Sequence, residues 1–478
     1  MKAPLKNMIA VLAGDVGSRA ISFLVTVYLA RILAPSAFGL INIGLGVLGY
    51  LTLLNSPGIQ VLEARNAAAT PGGMMPRVGA ILSMRLFLVP LLLIMTAAVL
   101  ALTGTPAETR NVVLIYAVSL IPMAMSLDWL FQGKEDFRLI TVSRLLNALL
   151  YAIVAVLLVR SAADVRLTGV AFLVGNWAAV AYMGVKYRSR FGVPPLRWDP
   201  AAWGGIMREN IPVGAAMFLT QSVTNLPPIA IAMIMSNADV GIYSAAMKLV
   251  FVVLIMDRTL NALFLPIATR YATWKPGEYP VLLSVMLKTM VVILFPLTIA
   301  AIMLAEPAVG LVFGSGYEEA VPLFRMLMAY VVVTMLNSLF VCTLMAFART
   351  TDYAIVVGGG ALLICVGVFA FTWLLGTPGA AIGIAVGETV ILLFLIRKSM
   401  VVTDIPSWTT LLKPVVATAV MALTGWALMN QTRFIGWGLI YQTPIIALCI
   451  SAVIYILALT LMGGIPREEF RYLKERLA

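Results

Sequence analysis

The stretch VGAILSMRLFLVPLLLIMTAAVLAL, residues 78–102, decides the fold class of this chain. Its single charged residue, Arg85, lies within a run of mostly apolar side chains. The hydrocarbon core of a bilayer is about 30 Å thick, and a helix that crosses it needs about 20 mostly apolar residues. Residues 78–102 are therefore predicted to form a transmembrane helix.

Comparable apolar stretches continue on both sides of this one, about fourteen in all, and most are joined by short polar loops. Hydrophobic residues make up 62% of the chain, charged residues 11%, and the mean hydropathy is +1.00, well outside the range of soluble domains. The runs are continuous rather than alternating, which favours helices over a β-barrel. The sequence predicts an all-α polytopic membrane protein with spans at 8–34, 38–62, 78–102, 111–130, 139–159, 167–186, 206–236, 240–271, 279–305, 320–348, 353–375, 380–400, 409–429 and 435–462.

The formal net charge is +12, but the positions of the basic residues favour a membrane orientation signal over a nucleic-acid partner. Lysine and arginine concentrate in the cytoplasmic loops of membrane proteins. One set of alternate loops and ends holds 21 of them, and the other set holds six: Arg31, Arg110, Arg160, Arg166, Arg325 and Arg433. Both termini are therefore predicted to be cytoplasmic, which requires an even number of spans.

The residue types that dominate enzymatic and metal sites are scarce. The chain has no histidine, and its three cysteines lie within predicted spans without metal-ligand or redox spacing. No Asp-x-Asp metal motif, glycine-rich phosphate loop or nucleophile elbow is present. We expect no metal site, no organic cofactor and no catalytic activity.

A weak internal repeat divides the sequence. Residues 30–40 resemble 232–242, residues 131–137 resemble 347–353, and residues 168–171 resemble 378–381, at offsets near 210. Six spans per half give parallel halves, and transporters built in this way bind substrate between the halves. The predicted divisions are an N-lobe at 1–186, a cytoplasmic connector at 187–205, a C-lobe at 206–400, and two further helices with a cytoplasmic tail at 401–478.

Charged residues deep within the predicted spans are the candidate site, since a charge in the membrane usually faces a wet cavity or a partner. The basic ones outnumber the acidic ones, which suits an anionic substrate, and arginine can bind phosphate through its planar fork. Arg144 and Asp128 are expected to extend from span ends to the interface. The predicted substrate-binding residues are Arg19, Arg85, Lys248, Arg258 and Lys288, and the acidic residues are Asp15, Asp257 and Glu388.

Asp15 and Arg19 have a second interpretation. Residues four apart on a helix are neighbours, so this pair could serve only to neutralise itself during insertion into the membrane. Both interpretations stay open on the sequence alone.

Several motifs in order resemble one family of membrane transporters. They are residues 29–40, DWLFQG at 128–133, VGIYSAAMK at 240–248, FGSGY at 313–317, and GAA at 379–381 followed by GE at 387–388. Together they resemble the polysaccharide-exporter branch of the multidrug, oligosaccharidyl-lipid and polysaccharide flippase superfamily. The resemblance covers nearly the whole chain.

The resemblance implies two six-helix lobes in a V around a central cavity, with two additional C-terminal helices. It also implies a flippase that moves undecaprenyl-diphosphate-linked oligosaccharides across the bacterial inner membrane for lipopolysaccharide O-antigen, capsule or exopolysaccharide. Arg19 would be this chain's counterpart of the family's first-helix arginines. Asp15, Asp257 and Glu388 would be candidates for binding a coupling cation, H⁺ or Na⁺. Membrane lipids, a polysaccharide polymerase and glycosyltransferases are the implied partners.

Two other functions are weighed against this one. A multidrug antiporter of the same superfamily would be expected to have an acidic cavity for cationic drugs, whereas the deep charges here are mostly basic. A membrane glycosyltransferase or polymerase would need a sizeable periplasmic loop, and the longest outward loop, at 306–319, is too short for a catalytic subdomain.

Overall fold

The computed structural model describes the backbone of residues 2–69, 75–194, 196, 198–405, 409–434 and 442–464. Helices account for most of these residues, and no strand lies among them. Twelve of the described helices are long and apolar enough to cross a membrane. The predicted all-α membrane fold is confirmed.

In chain order the helices are α1 (Lys2–Asn55), α2 (Ile59–Ala69), α3 (Met75–Leu102), α4 (Ala107–Val118), α5 (Leu120–Ala124), α6 (Asp128–Gly133), α7 (Phe137–Leu158), α8 (Val165–Phe191), α9 (Pro200–Ile234), α10 (Asn237–Val253), α11 (Ile255–Trp274), α12 (Tyr279–Met303), α13 (Ala305–Phe313), α14 (Ala320–Ala346), α15 (Thr350–Leu375), α16 (Thr377–Ser399), α17 (Thr409–Phe434) and α18 (Gln442–Leu461). Single 3₁₀ turns lie at Ala162–Asp164 and Pro276–Glu278.

Helix α1 contains the first predicted span and most of the second, which are separated at Ala34; the second predicted span, 38–62, is wrong at its end, because α1 stops at Asn55 and a turn precedes α2. The backbone there has φ 59° and ψ 170°, a conformation that residues other than glycine rarely adopt. Pro35 follows, and a proline disfavours the α conformation in the residue before it. The Ala34-Pro35 pair therefore ends one span and begins the next without a loop.

The fourth predicted span, 111–130, is wrong as a continuous helix. The chain there forms α4, α5 and α6, which are separated at Ser119 and again between Met125 and Leu127. The eighth predicted span, 240–271, is likewise divided, because α10 ends and α11 begins on either side of Leu254. Hydropathy does not register such breaks, since the residues on both sides of each break are apolar.

Packing divides the chain into two compact units, Met1–Ser244 and Ala245–Ala478. In the first unit, α1 packs against α4, α7 and α9, and α7 packs against α8. In the second, α14 and α15 both pack against α16, and α12 packs against α14 and α17. The predicted lobe boundaries follow the sequence repeat instead of the packing, and they stay a prediction.

An ionic network fixes α9 within the first unit. Glu63 of α2 is fully buried and accepts two hydrogen bonds of 2.7 Å from Arg77, which also pairs with Glu209 of α9 at 2.5 Å. Asn210 donates a further hydrogen bond to Glu63 at 3.1 Å. Burial raises the pKa of Glu63, but the hydrogen bonds from Arg77 and Asn210 outweigh burial, so its pKa lies below the ordinary value.

Two glycines allow the backbone of α1 just after Ala34 and the backbone at the start of α10 to come into direct contact within the first unit. A Cβ on Gly39 would lie 1.8 Å from the carbonyl oxygen of Asn237, and a Cβ on Gly241 would lie 1.9 Å from that of Pro35. Gly39 and Gly241 are partners in the sequence repeat, as are Pro35 and Asn237, so the contact is reciprocal. The contact thus joins positions that the sequence repeat also pairs, and the repeat itself stays a prediction.

The two helices outside the predicted repeat pack on α12 in the second unit. Met421 of α17 and Tyr455 of α18 are buried in one apolar cluster. The Tyr455 hydroxyl donates to the carbonyl oxygen of Val292 in α12 at 2.7 Å.

Candidate functional site

A polar cavity of about 600 Å³ lies within the first unit and is the candidate functional site. It is lined by side chains from α1, α2, α3, α7 and α8 and by the broken segment around α5 and α6. Its wall carries hydroxyl and amide groups as well as charged side chains. The lining residues are Asp15, Ser18, Arg19, Ser22, Thr52, Gln60, Arg85, Met123, Ser126, Asp128, Ser143, Arg144, Asn147, Ala148, Asn176, Ala179, Val180 and Met183.

Two arginines from different helices meet at one carboxylate in this cavity. Asp15 Oδ2 accepts a hydrogen bond from Arg19 Nε at 2.9 Å, and Asp15 Oδ1 accepts one from Arg144 Nη1 at 3.0 Å. The predicted contact between Asp15 and Arg19 is confirmed, and Arg144 joins it from α7. The arginine side chains remain 58% and 53% exposed, so each guanidinium can still reach a ligand.

Gly14 explains how α1 approaches α7 closely enough for this contact. A Cβ at Gly14 would lie 2.2 Å from the Thr141 methyl carbon, so a larger residue in this position would have to displace Thr141. Thr141 lies one helical turn before Arg144 on α7. The glycine therefore lets Asp15, its neighbour in sequence, reach Arg144.

The hydroxyl groups of α1 face the cavity without disturbing the helix. Ser18 donates to the carbonyl oxygen of Asp15, and Ser22 donates to that of Ser18, both at 2.9 Å. Such bonds to the preceding turn satisfy a hydroxyl within its own helix. Ser18 and Ser22 therefore line the wall with hydroxyl groups that already have partners within α1.

Arg85 lines the cavity, but its guanidinium is engaged in hydrogen bonds to the main chain. Its side chain is buried, at 2% exposure for the residue, and its guanidinium donates to the carbonyl oxygens of Met123 at 2.6 Å and Ser126 at 3.0 Å. These carbonyls lie at the break between α5 and α6, where the regular pattern of helical hydrogen bonds is interrupted. Asn55 connects to the same site, donating to the Arg85 carbonyl oxygen at 2.8 Å. Arg85 thus stabilises the broken fourth span.

Sequence reasoning missed two charged residues of the cavity. Arg144 and Asp128 were expected at the interface, yet both line the wall. Asp128 accepts a hydrogen bond from Ser126 at 3.0 Å. The charged lining is therefore three arginines and two aspartates, a net charge of +1. Neither residue carries a sequence signal for this position, because the packing of α7 and the break before α6 determine it.

The remaining candidates lie in the second unit. Lys248 and Lys288 are half-buried on α10 and α12, whereas the side chain of Arg258 lies outside the described residues. The structure thus places Asp15, Arg19 and Arg85 in one unit, and Lys248, Asp257, Arg258, Lys288 and Glu388 in the other.

Two carboxylates of the second unit are linked through adjacent residues of α14. Asn337 donates to Glu388 Oε2 at 2.6 Å, and Ser338 donates to Asp257 Oδ2 at 3.1 Å. Asn261 donates to the other oxygen of Asp257 at 3.0 Å. Glu388 is only 9% exposed. In the described part of the chain, no group of three or more His, Cys, Asp or Glu residues could hold a metal ion.

One family model matches this sequence, and the solved structures that resemble it share one fold. A family model described as "Polysaccharide biosynthesis protein" matches residues 5–271. No curated protein matches the chain.

Several solved structures share the fold at low sequence identity. A structure of the lipid II flippase MurJ in an inward closed conformation has a TM-score of 0.78 at 13% identity, covering 96% of this chain and 99% of that one. An inward-facing multidrug resistance transporter of the MATE family, in the MOP superfamily, has a TM-score of 0.64 at 13% identity, covering 80% and 95%. The MATE multidrug transporter DinF-BH, solved with a bound ligand, has a TM-score of 0.57 at 15% identity, covering 82% and 93%.

Proposed function

The chain belongs to the family of polysaccharide biosynthesis proteins, and on this premise we propose that it is a flippase for undecaprenyl-diphosphate-linked oligosaccharides. It works by alternating access in the bacterial inner membrane, with both termini in the cytoplasm. Its substrate is supplied by glycosyltransferases and consumed by a polysaccharide polymerase. It moves the lipid without making or breaking a covalent bond.

The main support for the proposal is that Arg19 and Arg144, from different helices, both donate to the carboxylate of Asp15 in the polar cavity of the first unit. A guanidinium presents parallel donors that match phosphate oxygens, and two of them can bind the two phosphates of a diphosphate. The hydroxyl and amide groups of the wall suit the hydroxyl groups of a sugar.

The two carboxylates of the second unit are proposed to bind the coupling cation, H⁺ or Na⁺. Glu388 and Asp257 each keep oxygen atoms within a hydrogen-bonded polar cluster inside the membrane. Ionisable groups in that setting commonly mark ion pathways. Asp15 is occupied by two arginines, which makes it less suited to this role than the other two.

The experiment is export of surface polysaccharide in a strain that lacks the native protein. Arg19→Ala is expected to abolish export at normal protein levels. Arg19→Lys should recover part of it, because a point charge replaces a two-pronged donor. If Arg19 serves only to neutralise Asp15, the double variant Asp15→Ala with Arg19→Ala would export normally, and that result would contradict the proposal.

Drug susceptibility separates the flippase from the multidrug antiporter. The same strains are tested with cationic dyes and antibiotics. The flippase predicts that resistance is unchanged by the protein, whereas resistance that depends on Glu388 and Asp257, with normal surface glycan, would support the antiporter.

A further inference from the structure

Asp15 occupies the two guanidiniums that the proposed function assigns to the diphosphate. Each of its carboxylate oxygens accepts from a different helix, Oδ2 from Arg19 on α1 and Oδ1 from Arg144 on α7. The side chain is 32% exposed, so the carboxylate can leave this position without unfolding a helix.

The other arginine of the cavity cannot substitute for this pair. Arg85 donates from both terminal nitrogens to main-chain carbonyl oxygens and is buried. A diphosphate in this cavity must therefore take Arg19 and Arg144 as its main ligands. It must compete there with Asp15, which carries the same sign of charge and uses the same donors.

We propose that Asp15 is an internal counter-anion, which holds the arginine pair in the unloaded protein and is displaced when the diphosphate binds. This inference rests on the proposed function and adds a role for Asp15 in it. Two guanidiniums from neighbouring helices repel each other when no anion lies between them, and the repulsion is strong where water is scarce. Each time the substrate leaves, the Asp15 carboxylate returns between the two guanidiniums and offsets their repulsion. Asp15 therefore weakens the binding of the diphosphate and favours its release.

The alternative is that Asp15 orients the arginines and stays in place with the substrate bound. The two roles predict opposite effects of a neutral side chain. A displaced counter-anion competes with the ligand, so its removal tightens binding. A fixed orienting group holds the two arginines in position to donate to the ligand, so its removal loosens binding.

The cavity supplies a matched control for net charge. Asp128 lines the same wall, and its carboxylate accepts from Ser126. Asp128→Asn and Asp15→Asn each remove one negative charge from the cavity. Only Asp15→Asn removes a competitor for Arg19 and Arg144.

The test is binding of inorganic pyrophosphate to the purified full-length protein, measured by calorimetry at fixed ionic strength. Asp15→Asn is expected to tighten binding by about tenfold relative to the unchanged protein, since a hydrogen-bonded charge no longer competes. Asp128→Asn should tighten it by much less. Asp15→Ser gives a second neutral side chain in case the amide variant does not fold, and it should behave in the same way.

The outcomes separate this inference from the proposed function. Equal gains from Asp15→Asn and Asp128→Asn, or looser binding by Asp15→Asn, would overturn the displacement. Arg19→Gln and Arg144→Gln should each weaken pyrophosphate binding. If neither does, the proposed diphosphate site itself is wrong. If both weaken binding while Asp15→Asn fails to tighten it, only the role of Asp15 is wrong.

Discussion

At the scale of single residues, the arginines of the cavity differ in what they do for the protein. Arg85 holds two carbonyl oxygens at the break in the fourth span, whereas Arg19 and Arg144 contact a side chain and stay partly exposed. A buried charged group that loses its hydrogen bonds is costly, and so is a main-chain carbonyl left without a donor.

We therefore expect Arg85→Ala to destabilise the protein by about 3 kcal/mol, the scale of a one-sided deletion in a buried network. Arg19→Ala should leave stability nearly unchanged. Thermal unfolding of both variants in the same detergent checks this difference. An Arg85→Ala protein as stable as the Arg19→Ala protein would show that the break needs no support from Arg85.

The sequence predicted part of this site for a physical reason. The spacing of Asp15 and Arg19 places them on one helix face, so their contact follows from helix geometry alone. Arg144 comes from another helix, and its contact with Asp15 depends on how closely α1 and α7 pack. That distance depends on the fit between Gly14 and Thr141, which hydropathy and charge counts do not reveal.

At the scale of helices, the approach of α1 to α7 is open to a matched test. Gly14→Ala adds a methyl group where Thr141 already lies, while Gly17→Ala adds the same group where nothing lies within 4 Å. We expect the first variant to lose export because it moves Arg19 on α1 away from Arg144 on α7, and the second to keep it.

A compensating change sharpens that test. Thr141→Ser removes the methyl carbon that a Cβ at residue 14 would meet. Gly14→Ala combined with Thr141→Ser should therefore recover most of the export measured at matched protein levels. Failure of this rescue, or an equal loss from Gly17→Ala, would mean that Gly14 acts in another way.

The limits of prediction also appear at this scale. The long apolar runs predicted most helices, because a bilayer imposes their length. The breaks at Ser119 and Leu254 were missed, since they leave the hydropathy of the run unchanged. The break at Ala34 was predicted closely, because Pro35 marks it in the sequence.

At the scale of the whole molecule, the distribution of basic residues predicts the orientation in the membrane. Ser189 lies at the exposed end of α8, next to Arg188 and Arg190, on the side expected to face the cytoplasm. A cysteine introduced there, after Cys342, Cys365 and Cys449 are replaced, should resist an impermeant thiol reagent in intact cells and react after lysis. Labelling of intact cells would reverse the predicted orientation.

The central claim is that this protein moves a diphosphate-linked lipid by using the arginine pair of the first unit. The most direct test is translocation of undecaprenyl-diphosphate-linked oligosaccharide in vesicles that contain the purified protein, followed by enzymatic digestion of glycan on the outer surface. We predict that the unchanged protein makes the inward-facing pool accessible, and that Arg19→Ala and Arg144→Ala proteins at equal density leave it protected. Translocation at the same rate by all three proteins, or no faster than in empty vesicles, would contradict the account.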